Sequence, residues 1–135
     1  MTDKTLKLIL KSDLQELNKL EDFVKDVEAA AELGEEVGGN IMLLLSEAVT
    51  NGIIHGNKQN PEKDVTIEAF VKEHIVEIVV SDEGAGFNPQ EIPNPLAEEN
   101  LLKTGGRGVY LMKEYADEVW YNEKGNQIKL TFNRK

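Results

Sequence analysis

Cysteine is absent from the 135 residues, which excludes a disulfide framework and any metal centre built on thiolates. Basic residues are scarce, with 15 lysines and arginines against 25 aspartates and glutamates and a formal net charge of −10. Such a surface disfavours non-specific adhesion to nucleic acid or anionic membrane, and a direct DNA-binding role with it. No apolar run approaches the roughly 18 residues of a membrane-spanning helix, and the opening MTDKTLKLIL lacks the apolar core of a secretory signal. The expected location is the cytoplasm. No internal repeat or low-complexity tract occurs. The common phosphate loops are missing too: there is no G-x-x-x-x-G-K-[ST], and no G-x-G-x-x-G follows a strand and opens a helix. At this length one domain over residues 1–135 is expected, burying about two thirds of the surface its unfolded chain exposes.

What the chain does carry is concentrated in three segments. The first is SEAVTNGIIHGN, residues 46–57, where Glu47 and Asn51 stand one helical turn apart in an otherwise apolar stretch. Both side chains leave the same helix face, with Ser46 and Thr50 beside them and His55 a further turn along. Burying a carboxylate and an amide costs free energy unless something occupies them. Side by side they suit a hard cation or a water to be polarised, and Mg²⁺ is commonly held by one or two protein oxygens together with substrate phosphates. A buried polar pair that fixes helix packing accounts for the same residues.

The second segment is SDEGAGF, residues 81–87, following the apolar run 75–80. Asp82 there offers an acceptor able to take the hydrogen bond of an exocyclic amine such as that of adenine. Gly84 and Gly86 present backbone without Cβ to a planar ring or a phosphate. A tight acidic turn closing a strand is the alternative. The third segment is TGGRGVYLM, residues 104–112, in which Gly105, Gly106 and Gly108 surround Arg107 ahead of an amphipathic stretch. Exposed amides at a helix N-terminus, flexible backbone and a guanidinium make a phosphate-binding corner. A glycine-rich linker explains the flexibility but not the arginine.

Around these segments the periodicities sketch a fold. Leu6, Leu8 and Leu10 alternate with Lys7 and Lys11, a half-buried strand over 5–11. Ser12 with Gln15 has the spacing of a capping box. Leu14, Leu17, Leu20, Phe23, Val24, Val27 and Ala31 then recur at helical spacing, with Gly34 as the stop. The helix bearing Glu47 follows, with Gly38 and Gly39 either before it or in its first turn. Residues 57–64 read as a loop, and 65–71 with 75–80 predict a hairpin that delivers Asp82. Residues 88–104 carry Pro89, Pro93 and Pro95 and no periodicity; such a long loop in a compact domain is functional or disordered. Its place between the two glycine motifs is that of a lid over a bound nucleotide. A helix over 109–116 and a hairpin over 118–132, turning near Lys124, Gly125 and Asn126, complete the chain. Trp120 and Tyr121 belong to the core or a sheet edge. Strands and helices in blocks predict an α+β two-layer sandwich, a mainly antiparallel sheet with helices on one face.

E-x-x-x-N on a helix, D-x-G-x-G after a strand and G-G-R-G before a helix, in that order, resemble the GHKL ATPases (gyrase, Hsp90, histidine kinase, MutL). SEAVTNGIIHGN, the short interval to GGRGVYLMKEYADEVWY and the closing GNQIKLTF are similar to the small stand-alone anti-sigma-factor serine/threonine kinases of that superfamily, over nearly the whole chain. The resemblance implies the layered Bergerat fold with a mixed sheet, ATP between helices and sheet, and Mg²⁺ on Asn51. It implies Glu47 as general base toward an incoming hydroxyl and Asp82 as the reader of adenine. Gly84 and Gly86 would admit ring and ribose; Thr104, Gly105, Gly106 and Gly108 would wrap the phosphates. Arg107 would stabilise charge on the γ-phosphate, a role open to Lys103 as well, though a solvated lysine is the simpler reading; for His55 a structural hydrogen bond is simpler than catalysis. Implied partners are an anti-anti-sigma protein as phosphorylation substrate, a sigma factor to be sequestered, and a second copy in a homodimer. A nucleotide-responsive binding module without phosphoryl transfer is the competing expectation. A histidine kinase catalytic domain fits less well, since between the starting methionine and the terminal strand no room remains for a phosphoacceptor hairpin. The chain departs from the pattern at Gly52, Gly56 and Asn57, where relatives often carry alanine and an aromatic residue. Glycine inside a helix costs about 0.5–1 kcal/mol relative to alanine, which points to a compensating close contact there.

Overall fold

The alternation of leucine with lysine in the first strand decides which side of the sheet is inside. In a computed structural model that describes residues 4–84, 115–122 and 126–134, β1 (Lys4–Lys11) turns Leu6, Leu8 and Leu10 inward and leaves Lys4, Lys7, Ile9 and Lys11 exposed. β2 (Asp64–Val71) and β3 (Ile75–Ser81) form the expected hairpin, and β4 (Glu118–Tyr121) pairs with β5 (Gln127–Asn133) in a second. The strand order is β1-β2-β3-β5-β4, and every pairing among the described residues is antiparallel. The register lines up Leu6, Ala69, Ile78, Leu130 and Val119 in one row and Leu8, Ile67, Val80, Ile128 and Tyr121 in the next. With a side-chain period of two, all these residues then share one face.

That face is covered by α1 (Leu20–Ala31) and α2 (Glu35–Asn51). α1 lies across β1 and β2, while α2 packs on α1 and β3, which is the two-layer α+β sandwich expected. α1 buries Leu20, Phe23, Val24, Val27 and Ala31; α2 buries Ile41, Leu44, Leu45, Ala48 and Val49. A fully buried leucine or isoleucine contributes about 1.5–3 kcal/mol, so α2 is anchored strongly enough to carry two polar groups near its end. Arg134 ties the end of β5 to the helical layer, its Nε donating to Ala31 O at 3.0 Å. Trp120 lies at the sheet edge, half exposed, with Lys129 Nζ 5.8 Å from its ring centre. Tyr121 faces the core, where burial pushes its hydroxyl up to about 12.

Several expectations are corrected. Asp13, not Ser12, caps the turn that precedes α1: its Oδ1 accepts from Gln15 N at 2.9 Å, while Ser12 is buried in the fold. The periodic stretch from Leu14 divides into a 3₁₀ turn, Leu14–Lys19, and α1. α1 ends not at Gly34 but with Glu32 in the left-handed region at φ 55°, its N–H returning to Glu28 O. Gly34 serves instead as the N-cap of α2. Gly38 and Gly39 lie inside α2, Gly38 where α1 crosses so closely that a Cβ would overlap the Glu28 side chain. α2 runs on into a π-helical turn, Gly52–Gly56. The helical stretch Glu35–Ile54 is 20 residues long and, by length and composition alone, apolar enough to cross a membrane. Its buried residues are those of the core, packed on the sheet and on α1. The lid expected at 88–104 and all but the last two residues of the helix expected over 109–116 lie outside the described residues.

Candidate functional site

Glu47 and Asn51 follow one another along the last turns of α2, both half-buried. Among the described residues Asn51 Oδ1 is buried without a hydrogen-bond partner, a condition that costs about 1–3 kcal/mol and demands an explanation. Ser46, expected on the same flank, is satisfied within the helix: its Oγ donates to Met42 O at 2.8 Å. Among the described residues no group of three or more histidine, aspartate or glutamate side chains forms a metal-sized cluster. The orphan amide oxygen fits a hard cation whose other ligands come from substrate and water, the usual habit of Mg²⁺.

The π turn carries the end of α2 onto Asp82. A Cβ on Gly52 would stand 3.4 Å from Val65 Cγ2 and 3.5 Å from Asp82 Cβ, while one on Gly56 would stand 2.5 Å from both Cγ and Oδ1 of Asp82. The approach at Gly56 is the compensating contact expected there, whereas Gly52 stands at ordinary van der Waals distance from its neighbours. A Cβ on Gly84 would run into the carbonyl oxygen of Gly56. Its missing side chain is therefore already required by the protein's own backbone. Asp82 Oδ1 accepts from Gly84 N at 2.8 Å, and Asp82 N donates to Asn126 O at 2.9 Å. Asn122 Oδ1 in turn accepts from Asn126 N at 3.1 Å, and Gln127 Nε2 donates to Ser81 Oγ at 3.0 Å. The end of β3 is thereby fixed from the β5 side.

From the other side it is fixed by Asn57, a residue read from sequence only as the start of a loop. Asn57 is 2% exposed. Its Nδ2 donates to Ser12 Oγ at 2.8 Å and to Asp64 O at 3.0 Å, and its Oδ1 accepts from Glu83 N at 2.8 Å. Ser12 Oγ in turn donates a hydrogen bond to Lys63 O at 2.6 Å. Only the departure from the family pattern at this position marked it in advance.

The structure thus brings Gly52, Gly56, Asp82 and Gly84 together where the π turn meets the end of β3, with Glu47 and Asn51 in the last turns of α2 just before it. Gly86, Lys103, Thr104, Gly105, Gly106, Arg107 and Gly108 lie outside the described residues, as does the side chain of His55. A model of the histidine kinase-like ATPase domain matches residues 10–132. The chain belongs to this family. Within the histidine kinase-like ATPases it is similar to the anti-sigma F factor of Bacillus cytotoxicus, 42% identical over 81 residues that cover 58% of this chain and 56% of the relative. The anti-sigma F factor of Bacillus subtilis is 36% identical over 96 residues, 67% of this chain and 66% of that protein. That of Bacillus velezensis is 35% identical over a stretch of the same length and coverage. The chain spans between 56% and 66% of the length of these relatives.

Proposed function

We propose that this histidine kinase-like ATPase domain binds Mg²⁺·ATP where α2 meets the end of β3 and acts as a serine/threonine kinase and anti-sigma factor. Its substrate in this reading is an anti-anti-sigma protein, and in the absence of that partner it sequesters a sigma factor. The observation that carries the reading is Asn51 Oδ1, a buried acceptor without a partner among the described residues, one turn past a carboxylate and one residue before the glycine contact with Asp82. The similarity to anti-sigma F factors supports the choice of partners.

Asn51 would hold Mg²⁺, which when bound neutralises phosphate charge. The Glu47 carboxylate would take the proton of the partner's serine hydroxyl as that oxygen attacks the γ-phosphorus and the bond from the γ-phosphorus to the bridging oxygen breaks, with ADP as the leaving group. Asp82, its carboxylate oriented by the Gly84 N–H, accepts from the exocyclic amine of adenine. Gly86, Thr104, Gly105, Gly106 and Gly108 wrap ring and phosphates, Arg107 stabilises γ-phosphate charge, and 88–104 forms the lid. In this reading the chain pairs with a second copy as a homodimer in the cytoplasm.

Incubation of the purified chain with labelled ATP, Mg²⁺ and an anti-anti-sigma protein tests the proposal. Label on a serine or threonine of the partner is the expected result. Nucleotide binding without label on any protein would reduce the chain to a nucleotide-responsive binding module, and histidine autophosphorylation would make it a histidine kinase fragment. Absence of ATP binding would overturn the site itself.

A further inference from the structure

The proposed site leaves Asn57 unexplained, a fully buried amide that spends three hydrogen bonds on three different parts of the chain. It joins the exit of β1 through Ser12, the entry to β2 through Asp64 O, and the turn after β3 through Glu83 N. Its own N–H donates to Gly52 O at 2.7 Å, and so couples the same residue to the π turn. Glu83 reinforces the link, since its carboxylate accepts from Asp64 N. The contact with Glu83 falls on the peptide immediately after Asp82, and the residue before Asn57 is the glycine against the Asp82 carboxylate.

We infer that Asn57 is a positioning residue for purine selection, holding the Asp82–Glu83–Gly84 turn at the distance and angle from α2 at which the Asp82 carboxylate meets an exocyclic amine. This rests on the ATP-site reading above. Adenine presents an amine donor where guanine presents a carbonyl acceptor, so a fixed carboxylate attracts one and repels the other. A carboxylate free to swing away does neither well. Asn57 touches no ligand; it acts through Glu83 N and the Gly56 backbone.

The test compares ATP and GTP affinity by calorimetric titration for the wild type, Asn57→Ala and Val27→Ala, the last a buried α1 residue remote from the turn. Wild type is expected to prefer ATP. Asn57→Ala is expected to lower ATP affinity by about three- to tenfold, the size of one hydrogen bond, and to shrink the ATP-to-GTP ratio. Val27→Ala is expected to lower the Tm and leave the ratio alone. A wild-type ratio retained in folded Asn57→Ala overturns this inference while leaving the ATP site standing. Wild type that binds neither nucleotide overturns both. If Asn57→Ala does not fold, hydrogen exchange of the Glu83 amide in the wild type carries the test: added protection with ATP but not GTP supports the positioning role, and equal protection overturns it.

Discussion

Substituting Gly56 by alanine separates stability from binding more cleanly than any other single change at this site. The new Cβ would lie 2.5 Å from Asp82 Cγ and Oδ1 and 2.6 Å from Oδ2. Because Cγ itself is overlapped, turning the carboxylate about its own axis gives no relief. The whole group must swing out about χ1, which breaks its hydrogen bond from Gly84 N. Overpacking of this kind costs about 1–3 kcal/mol, and alanine's helical preference returns about 0.5–1 kcal/mol. Net destabilisation of up to about 2.5 kcal/mol lies below the roughly 5–15 kcal/mol of a typical domain and leaves the protein folded at 25 °C. ATP, by contrast, loses its bond to a charged acceptor, about 1.5–3 kcal/mol, which is about a ten- to hundredfold weaker Kd. Calorimetric titration with ATP, paired with a thermal melt, reads both quantities. Wild-type affinity in Gly56→Ala would show that Asp82 does not read the base. Gly84→Ala makes the contrast: its Cβ meets a backbone carbonyl that cannot rotate away, so that variant is expected to lose several degrees of Tm or fail to fold.

Asn51→Ala removes a desolvated acceptor that has no partner among the described residues, so it is expected to abolish Mg²⁺-dependent ATP binding while costing no more than about 1 kcal/mol of stability; titrations with and without Mg²⁺ decide it. Glu47→Ala should retain ATP binding and lose transfer to the partner, read by label incorporation. Gly39→Ala, exposed within α2 with nothing near its missing Cβ, should stabilise the fold by about 0.5–1 kcal/mol in denaturant unfolding. On the sheet's outer face the Lys72 ammonium, followed by Lys129 at 3.4 Å, holds the Glu77 carboxyl below its ordinary value. A depressed carboxyl stabilises the fold above the unfolded-state value and loses that contribution as pH falls through the folded one. Glu77→Gln should therefore be less stable than wild type at pH 7, by less than about 1 kcal/mol, with the gap closing in melts below about pH 4.

Legibility from sequence followed the physics of each element. Strands with one wet face announce themselves by alternation, so β1, both hairpins and the sheet's inner face were readable from Leu6, Leu8, Leu10 and their partners. Helix ends were not, because capping is decided by φ and by single hydrogen bonds: Asp13 and Ser12 are chemically interchangeable as caps, and Glu32 adopts a left-handed conformation that composition assigns to Gly34. The length of α2 was hidden by Gly38, Gly39 and Gly52, residues that read as breaks and are in fact close contacts or open surface. Glu47, Asn51 and Asp82 were legible as candidates because carboxylate and amide in an apolar setting need a reason. Asn57 was not, because a buried asparagine and a loop asparagine differ only in their surroundings.

The widened turn at Gly52–Gly56 has a bearing on how this segment tolerates change in length. A five-residue span closed by the bond from Asn57 N to Gly52 O holds one residue more than an ordinary coil of the same rise. Deleting a single residue there would tighten the coil and rotate the downstream backbone by about 100°, carrying Gly56 off Asp82 and Asn57 off Glu83 together. Spacing in this stretch is consequently as binding as residue identity. Variants that keep every side chain but shorten the span by one are expected to score as knockouts in an indel scan.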